Sequence, residues 1–159
     1  MGKPAFFEVL KTEGKLSLVE PNKNISGTYF KKSTSHLESA RLLLKENKLE
    51  EAVSLTYYSM YYAVQALFFE VGLKCENHSA SIILLSKVFG IDNSQISDAK
   101  KERIDKQYYV DFKVTKDDVK ELIRTAESFN STILDFVSRL DNRKINEHRN
   151  QLQKILCRE

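Results

Sequence analysis

Apolar residues along this chain recur at helical rather than strand spacing, and only five glycines and two prolines interrupt them. Between Ser26 and Asn47 the apolar positions Tyr29, Phe30, Leu37, Ala40, Leu43 and Leu44 form a stripe with charges on the other faces, which predicts an amphipathic helix. Residues 49–71, LEEAVSLTYYSMYYAVQALFFEV, are almost uniformly apolar beyond Glu51 and stop at Gly72. A helix apolar on all sides must be surrounded, so this one is predicted to be central. His78 and Ser79 precede ASIILLSKVFG, a third helix of about three turns ending at Gly90. Asn93 or Ser94 can cap a fourth, running to about Val110. In TKDD, Thr115 and Asp118 have the spacing of a capping box, with Asp for the usual Glu. They open a fifth helix whose apolar positions, Val119 to Val137, keep helical spacing to about Leu140. DNRKINEHRNQLQKILC reads as a sixth, weaker amphipathic helix or as a continuation of the fifth.

The fold class is therefore all-α. A chain of 159 residues is long enough for one hydrophobic core and too short for two ordinary domains. Residues 4–13 predict a short helix between Pro4 and Gly14, followed by the extended stretch LSLVEPN. We read residues 1–26 as an N-terminal extension packed on a helical bundle, 27–140 as the bundle, and 141–159 as a basic amphipathic C-terminal helix.

The formal charge of +3 is far too weak for a protein built mainly to hold a polyanion. It also sits in one place: residues 139–159 carry six basic and three acidic side chains, so the remainder is balanced. Cys75 and Cys157 make neither a CxxC pair nor a disulfide framework, which together with the absence of a signal-peptide pattern near Met1 points to the cytoplasm. No window approaches the roughly 20 apolar residues needed to span a bilayer, so no membrane association is expected.

Candidate chemistry is sparse. Three histidines and two isolated cysteines lack metal-ligand spacing, and no phosphate-loop, dinucleotide or hydrolase-elbow signature occurs, so neither a metal nor a cofactor is expected. The run Tyr57-Tyr58-Ser59-Met60-Tyr61-Tyr62 presents aromatic pairs one turn apart. On so apolar a helix, core packing outweighs a base-stacking platform, which would need exposed rings. In the polar turn Cys75-Glu76-Asn77-His78-Ser79, Asn77, His78 or Ser79 can cap the next helix. His78 is equally the only side chain there whose ordinary pKa suits proton transfer near neutrality. Arg103, Asp105, Gln107, Tyr108 and Tyr109 cluster on the lysine-rich fourth helix. Arg103 can bind a phosphate bidentately or pair structurally with an acid such as Asp105, and both readings stand.

Taken together, AVSLTYYSMYYAVQALFFEVGLKCENHSASI and, about thirty residues on, ERIDKQYY resemble the HEPN domains of small archaeal and bacterial proteins. Those domains carry an Ala-Tyr-Tyr-x-Met-type helix, a Gly-Leu-Lys-x-x-x-His-Ser turn and an Arg-x-x-x-x-Tyr stretch, and the resemblance covers roughly residues 27–140. It implies an antiparallel bundle of four to five helices, usually a homodimer, often encoded beside a minimal nucleotidyltransferase as toxin and antitoxin. Many members are metal-independent RNA endonucleases using an Arg-x4-6-His motif, in which arginine neutralises the phosphate and histidine moves protons as the 2′-OH attacks.

RKINEH, residues 143–148, matches the letters of that motif. With seven arginines, three histidines and three permitted spacings, a chance match is expected on the order of 0.4 times per chain, so it carries little weight. The segment in the family's motif position is Arg103-Ile104-Asp105-Lys106-Gln107-Tyr108. Its arginine carries over, but Tyr108 replaces the histidine, and a phenol of pKa about 10 is a poor base at neutral pH. Ile104 and Val110 also depart from active members, and His78 is the obvious substitute proton carrier.

The expectation is a HEPN-fold homodimer binding RNA, a nucleotide or a nucleotidyltransferase partner. Arg103, His78 and Tyr108 are its catalytic candidates, and Asn77, Ser79, Asp105, Gln107 and Tyr109 its nucleotide- or RNA-binding candidates. The alternative is a non-catalytic dimeric module for the nucleotidyltransferase, with Tyr108 or Tyr109 as a modified side chain.

Overall fold

A computed structural model describes residues 5–108 and 113–157, the side chains of 105–108 excepted. Among the described residues seven helices and two short strands follow one another as α1 (Phe6–Thr12), β1 (Leu16–Leu18), α2 (Lys23–Lys45), α3 (Leu49–Val71), β2 (Leu73–Cys75), α4 (His78–Phe89), α5 (Ser94–Tyr108), α6 (Lys116–Ser138) and α7 (Asn142–Leu156). The molecule is the all-helical bundle expected, with α3 at its centre.

The apolar α3 packs against α2, α5 and α6 and touches α4 and α7, so Tyr57, Met60, Val64, Leu67, Phe68 and Val71 lie wholly inside. At the α2–α3 crossing small residues bring the backbones close. Ser33 Oγ donates to the Ser59 carbonyl and Ser59 Oγ to the Ser33 carbonyl, each at 2.7 Å, while Asn130 Nδ2 of α6 donates to Ser59 Oγ at 2.9 Å. Satisfied in this reciprocal way, the buried hydroxyls offset the cost of leaving water.

Helix boundaries follow their caps. Asn22 Oδ1 accepts from Ile25 N at 3.0 Å, so α2 starts three residues before the Ser26 expected. The capping box of α6 is complete: Thr115 Oγ1 accepts from Asp118 N, and Asp118 Oδ2 accepts from Thr115 N. Residues 73–75, expected to lead into a turn, instead form β2, which pairs antiparallel with β1 through Leu16 and Cys75, Ser17 and Lys74, Leu18 and Leu73. That pairing folds the N-terminal stretch back onto the end of α3.

The tail completes this junction. α7 is a separate helix, capped by Asp141. From it Arg149 Nη1 donates to the carbonyls of Val19, Val71 and Gly72 at 2.8, 2.9 and 3.1 Å, tying the tail to the end of α3 and the stretch after β1. Gly72 sits there at φ +82°, where an added Cβ would strike Arg149 and the Val19 carbonyl. Among the described residues no helix is long and apolar enough to cross a membrane.

Candidate functional site

The turn between β2 and α4 places His78. Asn77 is the N-cap of α4, its Oδ1 accepting from Ala80 N at 2.9 Å, which leaves His78 as the first helical residue with its ring unengaged in capping. That ring stacks on Tyr61 at 3.9 Å between centroids and 8° between planes. Its Nδ1 lies 2.6 Å from the Tyr57 hydroxyl, and Tyr58 meets it edge-on. The imidazole thus rests on three tyrosines of the central helix.

Arg103 reaches the same tyrosines from α5. Its Nη1 donates to the Tyr58 hydroxyl at 2.6 Å, and its guanidinium carbon lies 5.1 Å from the Tyr58 ring centre and 5.3 Å from that of Tyr57. These are cation–π distances. Arg103 Nε is buried and donates to nothing among the described residues. One turn earlier on α5, Lys100 Nζ donates to Ser79 Oγ at 2.7 Å. Two cations therefore flank one imidazole over an aromatic floor.

Electrostatics fix the protonation states. Burial first, then the charges of Arg103 and Lys100, hold His78 below its ordinary pKa of 6.5, so the ring is neutral at pH 7. Burial raises the phenols of Tyr57 and Tyr61, which stay protonated. A neutral imidazole beside a permanently charged guanidinium suits recognition of a phosphate, with the arginine supplying charge and the ring a hydrogen bond.

Of the residues expected at the site, the structure gathers Arg103 and His78 onto Tyr57 and Tyr58, with Ser79 joined through Lys100 and Asn77 serving as the cap. Tyr109 lies outside the described residues, as do the side chains of Asp105, Gln107 and Tyr108. Lys100, Tyr57 and Tyr58 were not among the expected site residues. Lys100 was findable, being three residues before Arg103 and so on one helix face.

RKINEH does not make a site. Arg143 is exposed and pairs with Glu147 one turn on at 3.6 Å. His148 packs between Phe89 at 4.9 Å and Phe136 at 5.7 Å, turned to the core.

The architecture defines a helical-bundle protein with a cation, imidazole and tyrosine cluster against its central helix. The HEPN domain family model matches residues 27–139, from α2 through α6, and the chain belongs to that family. It is similar to a UPF0332 protein of Thermotoga maritima, 30% identical over 100 residues that cover 58% of this chain and 76% of the relative. A UPF0332 protein of Pyrococcus horikoshii is 36% identical over 63 residues, 40% of this chain and 42% of the relative.

Proposed function

We propose that this HEPN-domain protein is the RNA- or nucleotide-binding member of a pair with a nucleotidyltransferase, acts as a homodimer in the cytoplasm, and holds phosphate at Arg103, Lys100 and His78. The observation that carries this reading is that Arg103 and His78, from different helices, lie against the same two tyrosines with Lys100 alongside. A structural arginine would be expected to meet a carboxylate. Among the described residues this one meets a phenol and two ring faces, contacts that leave its charge uncancelled. Ser79 holds Lys100 and Asn77 caps α4 beside the cluster, and in the sequence Tyr108 and Tyr109 follow Arg103.

Binding of a labelled RNA oligonucleotide tests it. Arg103→Ala should lower affinity by roughly tenfold, the worth of one charged hydrogen-bonded contact, with an unchanged circular dichroism spectrum. Unaltered affinity would remove Arg103 from the site. Co-expression with a minimal nucleotidyltransferase should give a complex that co-purifies, and its failure to form would count against the pairing.

The shared contact of His78 and Arg103 with Tyr57 also favours a second reading, metal-independent RNA cleavage. The 2′-oxygen would attack phosphorus as it loses its proton, and the bond to the 5′-oxygen would break as that oxygen gains one. RNA incubated with the protein in EDTA should then be cut, and both Arg103→Ala and His78→Ala should abolish cutting; intact RNA leaves the binding role alone standing.

A further inference from the structure

An aromatic seam runs away from Arg103 along the α2–α3 surface. On α3, Tyr58, Tyr62 and Phe69 share one stripe, and on α2, Tyr29, Lys32 and His36 face it at helical spacing. The ring centres are 6.1 Å apart for Tyr58 and Tyr62, 5.8 Å for Tyr62 and Tyr29, and 5.4 Å for Tyr29 and Phe69, the last pair nearly parallel at 9°. His36 meets Tyr62 edge-on at 4.9 Å, and the Lys32 ammonium stands 5.3 Å from the Tyr62 ring centre and 5.7 Å from that of Tyr29.

These rings differ from the core tyrosines. Tyr57 and Tyr61 are buried, whereas Tyr29, Tyr58, Tyr62 and Phe69 are half-buried and Lys32 is exposed. The seam is also continuous with the cationic site, because Tyr58 is both its first ring and the acceptor of the Arg103 hydrogen bond. A ligand spanning both must offer anionic charge at one end and flat, weakly polar faces at the other. Duplex nucleic acid presents phosphates while keeping its base faces stacked inside, and an acidic peptide lacks the flat faces. A single strand presents both.

We propose that Tyr62 and Tyr29, with Lys32, form a stacking subsite for unpaired nucleobases beside the Arg103 phosphate site, making single-stranded RNA the substrate class. This rests on the phosphate-site reading given above. The test is fluorescence anisotropy on the full chain with three probes: a labelled oligouridylate, the same strand annealed into a duplex, and unlabelled polyphosphate as a base-free competitor. Single strand should bind at least roughly tenfold tighter than duplex, and Tyr62→Leu and Tyr29→Leu should each weaken it by roughly tenfold, the range of one lost base stack. Competition by polyphosphate should be unaffected by either change, and Tyr62→Phe and Tyr29→Phe should bind as the parent does.

Equal affinity for duplex and single strand, or leucine variants that bind normally while Arg103→Ala weakens both ligands, overturns the stacking subsite and leaves the phosphate site standing. Arg103→Ala with no effect on either ligand overturns both. Should the leucine variants fail to fold, photocrosslinking of the unaltered protein to bromouridine-substituted RNA decides. Adducts at Tyr29 or Tyr62 support the subsite, whereas adducts elsewhere, as when a second copy of the chain covers the seam, overturn it.

Discussion

Replacing Arg149 by methionine removes a guanidinium while keeping most of its apolar stem. Arg149 Nη1 carries two hydrogens shared among the carbonyls of Val19, Val71 and Gly72, so its contacts count as about two charge-assisted hydrogen bonds. Each contributes about 1.5–3 kcal/mol when the donor is charged. The Gly72 carbonyl keeps a second donor, Val19 N at 2.8 Å, and the side chain is only half-buried, so we take the lower end, about 3 kcal/mol. For a domain of this length about 1 kcal/mol lowers the melting temperature by roughly 2–4 °C, which gives a fall of roughly 6–12 °C. Thermal unfolding followed by circular dichroism measures it. Arg143→Met is the control, because its pair with Glu147 is exposed and adds at most a few tenths of a kcal/mol. If Arg149→Met melts like that control, the tail is not what closes the end of α3. A variant that keeps its melting temperature but loses RNA affinity would instead make the tail an RNA contact.

Gly72→Ala should cost at least about 2 kcal/mol, since φ +82° alone costs about 1–2 kcal/mol and the new methyl strikes Arg149 and the Val19 carbonyl; Gly90→Ala, at φ +64° in open space, should lose only the backbone part, and equal urea midpoints for the two would contradict the close approach. Asn77→Ala should cost about 1 kcal/mol through loss of the α4 cap and weaken RNA binding by misplacing His78, with Asn77→Asp restoring stability in denaturant titration. His78, whose folded pKa is depressed by burial and by Arg103 and Lys100, binds fewer protons folded than unfolded below pH 6.5. Its contribution is therefore fully present above the unfolded pKa and is lost as pH falls through the folded one, so urea midpoints at pH 7.5 and pH 5 should differ less in His78→Gln than in the parent.

Much of the fold was legible because it rests on local rules. The apolar length of residues 49–71 leaves a central helix as its only stable solution, and Thr115 with Asp118 writes the start of α6 directly into the chain. β1 and β2 were not legible as a pair: each is three residues long, and the register joining Leu16 to Cys75 is set by where α3 ends and by Arg149 beneath it. At the site, His78 and Arg103 could be named from residue type and turn context. Their shared contact with Tyr57 and Tyr58 depends on how α4 and α5 pack on α3, which neither helix encodes alone. The tyrosine run split for the same reason, since helical rotation sends Tyr57 and Tyr61 inward and leaves Tyr58 and Tyr62 at the rim.

The Tyr57 hydroxyl bears on what His78 can do. Burial keeps the phenol protonated, and a buried O–H needs an acceptor; among the described residues His78 Nδ1, at 2.6 Å, is the partner the hydroxyl has. When Tyr57 donates, Nδ1 is the accepting nitrogen, and the neutral ring carries its proton on Nε2. Such an imidazole offers a hydrogen bond to an oxygen of a ligand, and it cannot withdraw a proton through the same nitrogen. Arg103 and Lys100, being cationic, cannot serve as that base either. The cluster is thus complete as a set of donors for phosphate and incomplete as an acid–base pair. Attack by a 2′-hydroxyl would require an acceptor beyond these side chains, and a binding role requires nothing more than those already assembled.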